Sequence, residues 1–106
     1  MPSIEQIELL LKESPDDTFL RYALALELDN CEQHERSLEI FDALMALETP
    51  YVPAFFMSAQ QLARLDRVNE ARAKLRVGIE QARIQNDAHA ASEMSEFLMS
   101  LGDLGE

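Results

Sequence analysis

Apolar residues recur at helical spacing along this chain from one end to the other. Ile4, Ile7, Leu10 and Leu11 share one face, and Ser3 followed by Gln6 has the capping-box form, so a first helix is predicted over about residues 3–12. Ser14, Pro15, Asp16 and Asp17 end it. Phe19, Tyr22, Ala23, Leu26 and Leu28 then predict a second helix over about 16–28, and Asp29, Asn30 and Cys31 make a turn. A third, over 34–48, carries Leu38, Phe41, Leu44, Met45 and Leu47 and stops before Thr49 and Pro50. Pro53 suits the first turn of a fourth helix, where its missing amide hydrogen costs nothing, and Phe55, Phe56, Ala59, Leu62 and Ala63 form its stripe to about Leu65. Val68, Ala71, Leu75, Gly78, Ile79 and Ala82 mark a fifth helix that Asn86 and Asp87 interrupt. Ala91, Met94, Phe97, Leu98 and Leu101 mark a sixth, with Gly102 and Gly105 ending the fold. The pattern predicts six short helices and no strand.

These helices are self-similar. Sliding the fourth onto the second by 36 residues matches Phe55 with Phe19, Ser58 with Tyr22, Ala59 with Ala23 and Leu62 with Leu26. A shift of 34 matches the fifth with the third: Ala71 with Ser37, Leu75 with Phe41 and Gly78 with Leu44. The difference is assigned to a longer turn at residues 30–35. A period of this length is the mark of a stacked repeat architecture.

At these residues the chain resembles the tetratricopeptide repeat family, whose units are 34-residue helix-turn-helix pairs stacked into a right-handed superhelix. Phe55, Ala59, Leu62, Ala71 and Leu75 take its signature positions in one unit, and Phe19, Tyr22, Ala23, Leu26 and Phe41 in the other, with Pro50 near the repeat-ending proline. The chain departs from the family where Phe replaces the favoured Trp, Ser37 replaces a signature Ala, and Asp66 stands where a turn Gly is common. The resemblance implies an all-α repeat fold and a non-enzymatic interaction module, without naming a partner. One domain is expected over residues 1–106: an N-terminal capping helix 3–13, repeats 16–49 and 52–85, and a C-terminal capping helix 87–101. Two units expose apolar ends, so Ile4, Ile7 and Leu11 are expected to cover the first and Met94, Phe97, Leu98 and Leu101 the second.

Composition agrees with a small folded chain. Of 106 residues, 47% are apolar and 27% charged, and 3 Gly with 4 Pro are too few for the turns of an all-β sandwich. The net charge of -11 makes nucleic acid and anionic membrane surfaces poor partners. That charge is uneven. Residues 1–50 hold twelve acids against Lys12, Arg21 and Arg36, while the later bases, Arg64, Arg67, Arg72, Lys74, Arg76 and Arg83, cluster within a short stretch. Cys31 stands alone, no secretion signal or apolar span is seen, and the cytoplasm is the expected location.

In the family resembled, the first helix of each unit lines a concave surface, so a partner-binding groove is expected from residues leaving the signature stripe. These are Leu20, Arg21, Leu24 and Glu27 in the first unit and Phe56, Met57, Gln60 and Arg64 in the second. The clamp of Lys, Arg and Asn with which some members bind carboxylates is absent, since Leu20, Leu24 and Met57 hold its places. The groove is open to a protein or peptide, to the C-terminal helix, or to a second copy in a homo-oligomer. Arg72, Arg76 and Arg83 fall within about 40° of one another on a helical wheel and form a candidate basic docking stripe.

Catalytic chemistry finds no constellation. Cys31 and His34 have CxxH spacing without two further ligands nearby, His89 stands far along the chain, and no HExxH, phosphate-cradling glycine loop or G-x-S-x-G occurs. No cofactor, metal site or catalytic residue is expected. A small metal-carboxylate helical enzyme is the contrasting alternative, but no Glu-x-x-His pair supports it.

Overall fold

A computed structural model of the protein describes residues 2–102; Gly105, expected to help end the fold, lies outside them. Among the described residues there are six α-helices and no strand: α1 (Ile4–Glu13), α2 (Thr18–Asn30), α3 (His34–Met45), α4 (Val52–Arg64), α5 (Val68–Ile84) and α6 (Ala88–Ser100). Side-chain caps set several of the starts. The Ser3 hydroxyl accepts from the Gln6 amide at 3.2 Å while the Ser3 amide donates to Gln6 Oε1 at 2.8 Å, closing the capping box. Asp17 accepts from the Leu20 amide and Asp87 from the Ala90 amide, so α2 begins at Thr18, two residues later than the pattern predicts. The third helix also differs, ending at Met45 instead of running to Glu48. Pro50 bars continuation through Thr49, and the Tyr51 amide donates to the Leu44 carbonyl at 3.0 Å, which satisfies the helix end there. At the position 34 residues later stands Ile84, and there α5 continues to its full length.

The chain divides into two compact units, Met1–Tyr51 and Val52–Glu106. In the first, α2 pairs with α3 and α1 packs on α2. Ile7 of α1 joins Leu24 and Leu28 of α2 in a buried cluster, with Ile4, Leu11, Ala23 and Ile40 partly buried against it. Arg36 of α3 donates to Glu8 of α1 at 2.7 Å. The buried Ser37 hydroxyl donates to the Ala25 carbonyl at 2.6 Å, so the serine that replaces a small apolar residue is satisfied and links α3 to α2. In the second unit α5 packs between α4 and α6. Its closest approach is Gly78, where a Cβ would lie 2.6 Å from Phe55 Cβ and 2.7 Å from Met94 Sδ.

Turn geometry resets the internal register. Glu32, Asp66 and Asn86 each have φ near +60°. Around them the hydrogen bonds recur: the amides of Gln33, Arg67 and Asp87 donate to the carbonyls of Leu28, Leu62 and Ala82 at 2.7–2.8 Å, the long bond of a Schellman-type helix end. Glu32 and Asp66 are 34 residues apart. The buried positions obey the same offset on both helices: Leu24 with Ser58, Ala25 with Ala59, Leu28 with Leu62, Ser37 with Ala71, Phe41 with Leu75 and Leu44 with Gly78. The first helices therefore correspond by 34 residues, not 36, and no longer turn is present. The expected pairing of Phe19 with Phe55 fails, because Phe19 is 68% exposed while Phe55 is buried.

Two substitutions test this geometry. Gly78→Ala forces the stem of Phe55 to move, and overpacking of about 1–3 kcal/mol outweighs the ~1 kcal/mol gain in helix propensity. Thermal or denaturant unfolding is expected to show net destabilisation. Glu32→Gly relieves a left-handed non-glycine residue and is expected to stabilise by up to about 1 kcal/mol in the same assay. A neutral Gly78→Ala with a destabilising Glu32→Gly contradicts the geometry.

Candidate functional surface

The buried stripe of each unit's first helix determines what it leaves open. On α4 the stripe is Val52, Ala54, Phe55, Ser58, Ala59, Gln61 and Leu62. Pro53, Met57, Gln60 and Arg64 lie on the opposite side at helical spacing, with Pro53 and Arg64 exposed and Met57 and Gln60 half-buried. Three of the four residues expected in this unit, Met57, Gln60 and Arg64, thus share one face. Phe56 stands at its edge, and its ring meets that of Phe97 from α6 with centroids 5.9 Å apart. The C-terminal helix covers part of Phe56, which belongs as much to packing as to the open face.

On α2 the stripe is Leu24, Ala25 and Leu28. This corrects the expectation for the first unit. Leu24 is only 6% exposed and packs with Ile7, so it lies in the core and not in a groove. Arg21 precedes Leu24, Ala25 and Leu28 on that same stripe and corresponds to buried Phe55 of the second unit. Leu20 and Glu27 are half-buried on its flank. The face opposite the stripe carries Phe19, Leu26 and Asn30 instead, with Tyr22 beside it. Tyr22 packs edge-on against Phe41 at 6.0 Å and Tyr51 at 5.3 Å, and its burial, with Tyr51 adding to it, raises its phenol above the ordinary value. Phe19 and Leu26 belong to the open face of their unit through the 34-residue correspondence, which makes them the counterparts of Pro53 and Gln60.

The basic stripe is not a single feature. Arg76 and Arg83 are exposed on α5, but the Arg72 guanidinium donates to the carbonyls of Leu101 and Gly102 at 2.7 and 3.0 Å and to Asn69 at 2.8 Å. A cation at the end of α6 meets the carbonyls that a helix C-terminus leaves without partners, and favours its dipole. Arg72 therefore anchors the last helix of its unit. His34 of the CxxH pair pairs with Asp29 at 2.9 Å and braces the turn, while Cys31 is exposed. Among the described residues no group of three or more His, Cys, Asp or Glu is arranged to hold a metal, and no helix is long and apolar enough to cross a membrane.

Comparison with solved structures places this architecture among known ones. A solution structure of a tetratricopeptide repeat domain protein from Salinibacter ruber is 30% identical, with 87% of this chain and 93% of that one aligned at a TM-score of 0.78. A protein of Bordetella parapertussis, 23% identical over 95% of this chain and 88% of its own, has the same fold at a TM-score of 0.79. No family model matches the sequence, and neither does any curated protein.

Replacing Arg72 with Met keeps its aliphatic stem and removes the donors to the end of α6. Hydrogen exchange at the amides of residues 97–102 is expected to accelerate about tenfold, with that of α4 little changed. Unchanged exchange in α6 contradicts the anchoring role.

Proposed function

The chain belongs to the tetratricopeptide repeat family, and on that premise we propose that it is a non-enzymatic module that binds a peptide or protein segment through the open faces of its first helices, α2 and α4. The observation that carries this reading is the repetition itself. Each unit uses its second helix to bury one stripe of the first, and each leaves on the opposite side apolar groups that are exposed or only half-buried. In the first unit these are Phe19 and Leu26. In the second they are Met57 with the stem of Gln60, and Arg64 at the end of the row. Apolar side chains beside polar ones suit a segment with hydrophobic anchors, held by side chains in small pockets and oriented by hydrogen bonds. A cytoplasmic setting goes with this proposal, supported by the lone unpaired cysteine.

Selection of peptides from a random library against the purified chain tests the reading. Selected peptides are expected to lose at least about tenfold in affinity for Phe19→Glu and Arg64→Glu, while both variants keep stability within about 0.5 kcal/mol because the positions are exposed. Glu39→Lys, on the exposed side of α3, serves as the control and should bind normally. Peptides that bind all three variants equally well place the site elsewhere, and a failure to select any peptide removes the proposal. Phe56→Glu is a poor probe, since loss of its contact with Phe97 is expected to lower stability as well as binding.

A further inference from the structure

We propose that the outer face of α5 is a docking surface for a second copy of this chain, which it meets through the outer face of α1, head to tail. Five residues form the α5 face. Val77 and Ile84, 54% and 61% exposed, lie one heptad apart, and Arg76 and Arg83 precede each of them, with Glu80 between. One heptad of helix spans about 10.5 Å, so this is a double row in which two cations flank two apolar groups at matching intervals. None of these five belongs to the stripe of Ala71, Leu75, Gly78, Ile79 and Ala82 that α5 buries within its own unit.

A complementary row exists on α1. Glu5, Leu9 and Glu13 follow one another at four-residue spacing on the side away from Ile4, Ile7 and Leu11, and all three are exposed, Leu9 by 61%. Its two carboxylates stand about 12 Å apart along the helix, close to the separation of Arg76 and Arg83. Laid on α5, Leu9 reaches Val77 and Ile84 while Glu5 and Glu13 reach the two guanidiniums. Glu80 stands between the two arginines and Lys12 beside the Glu5, Leu9 and Glu13 row, which gives a further pair of the opposite polarity.

Charge selects the second copy and the head-to-tail arrangement. The unit containing α1 has a net formal charge of -9, whereas α5 itself carries Arg72, Lys74, Arg76 and Arg83 against Glu70 and Glu80. A two-fold contact of α5 with α5 sets arginines against arginines, and one of α1 with α1 sets carboxylates against carboxylates. Only the heterologous contact joins unlike rows, and such a contact grows into rings or open chains. This surface is separate from the open faces of α2 and α4, so the inference does not rest on peptide binding.

Light-scattering molar mass over a range of protein concentrations provides the test. At low salt the mass is expected to rise above the 12.0 kDa of one chain, and to return to it in high salt as the ion pairs are screened. Glu5→Arg with Glu13→Arg, and separately Arg76→Glu with Arg83→Glu, should each give a chain that stays at the monomer mass while retaining its helicity by circular dichroism. An equimolar mixture of the two doubly reversed chains restores unlike rows and should regain the higher mass. Ile84→Asp, a single exposed change, should also lower it. A chain that remains monomeric at every concentration in low salt overturns the proposal. So does a reversed chain that still associates alone, or a mixture that fails to associate. Peptide binding by the Arg76→Glu, Arg83→Glu chain is expected to be unchanged, which separates this contact from that of the open faces.

Discussion

The helix pairs α2–α3 and α4–α5 are each closed by one residue held in the left-handed conformation, and the faces that these helices turn toward each other follow from that turn. Glu32 and Asp66 occupy equivalent points, each followed by an amide that donates back to the carbonyl of a buried leucine. Once the chain reverses there, the residues that meet across the pair have no freedom of choice. Ala25 faces Ser37 and its hydroxyl, and Ala59 and Ala71 hold the corresponding places in the second unit. Glycine, the residue that takes this conformation at least cost, is at neither position. Packing of the paired stripes over-determines the conformation and holds it against the local preference.

Within that common frame the two units fill their interiors differently. Leu24 and Leu44 of the first correspond to Ser58 and Gly78 of the second. Bulk in the first unit is supplied by α2 and α3 themselves and by Ile7 from α1. In the second, Phe55 and Met94 occupy the volume beside Gly78, so α6 approaches α5 at the very position where a side chain is missing. Interiors pack to crystal-like density, and a small residue on one element is matched by a large one on its neighbour. Arg72 then ties the end of α6 to α5 through backbone carbonyls, which makes the last helix part of its unit's core.

The open faces are a by-product of the same arrangement. A helix pair can bury one stripe of each helix, and a terminal helix covers a second; what remains on α2 and α4 is a third side, whose apolar residues are exposed or half-buried. Ser37, His34 and the terminal guanidinium nitrogens of Arg72 make hydrogen bonds within the fold. An acidic first unit and a basic stretch on α5 give one small protein two unlike surfaces, the condition for contacts that discriminate by sign.

Much of this was readable from residue order. Helical spacing located all six helices, the Ser3 and Gln6 pair announced the first cap, and buried Phe41, Leu75, Ala71 and Ala59 were recognisable as repeat positions. The open face of α4 was legible too, because Phe55 and Leu62 unmistakably mark its stripe. The face of α2 was not. Two aromatic residues, Phe19 and Phe55, look equivalent in composition, and matching them shifted the helix by two residues, which turns it by about 200° and exchanges its inner and outer sides. The signal that corrects this is the backbone at Glu32 and Asp66, residues whose identities do not advertise a left-handed turn. Periodicity therefore determined that the chain is helical and repeated. Which side of α2 is covered, and that Arg72 is committed to α6, were decided by tertiary structure, because a helix with apolar groups all round is oriented only by what packs against it.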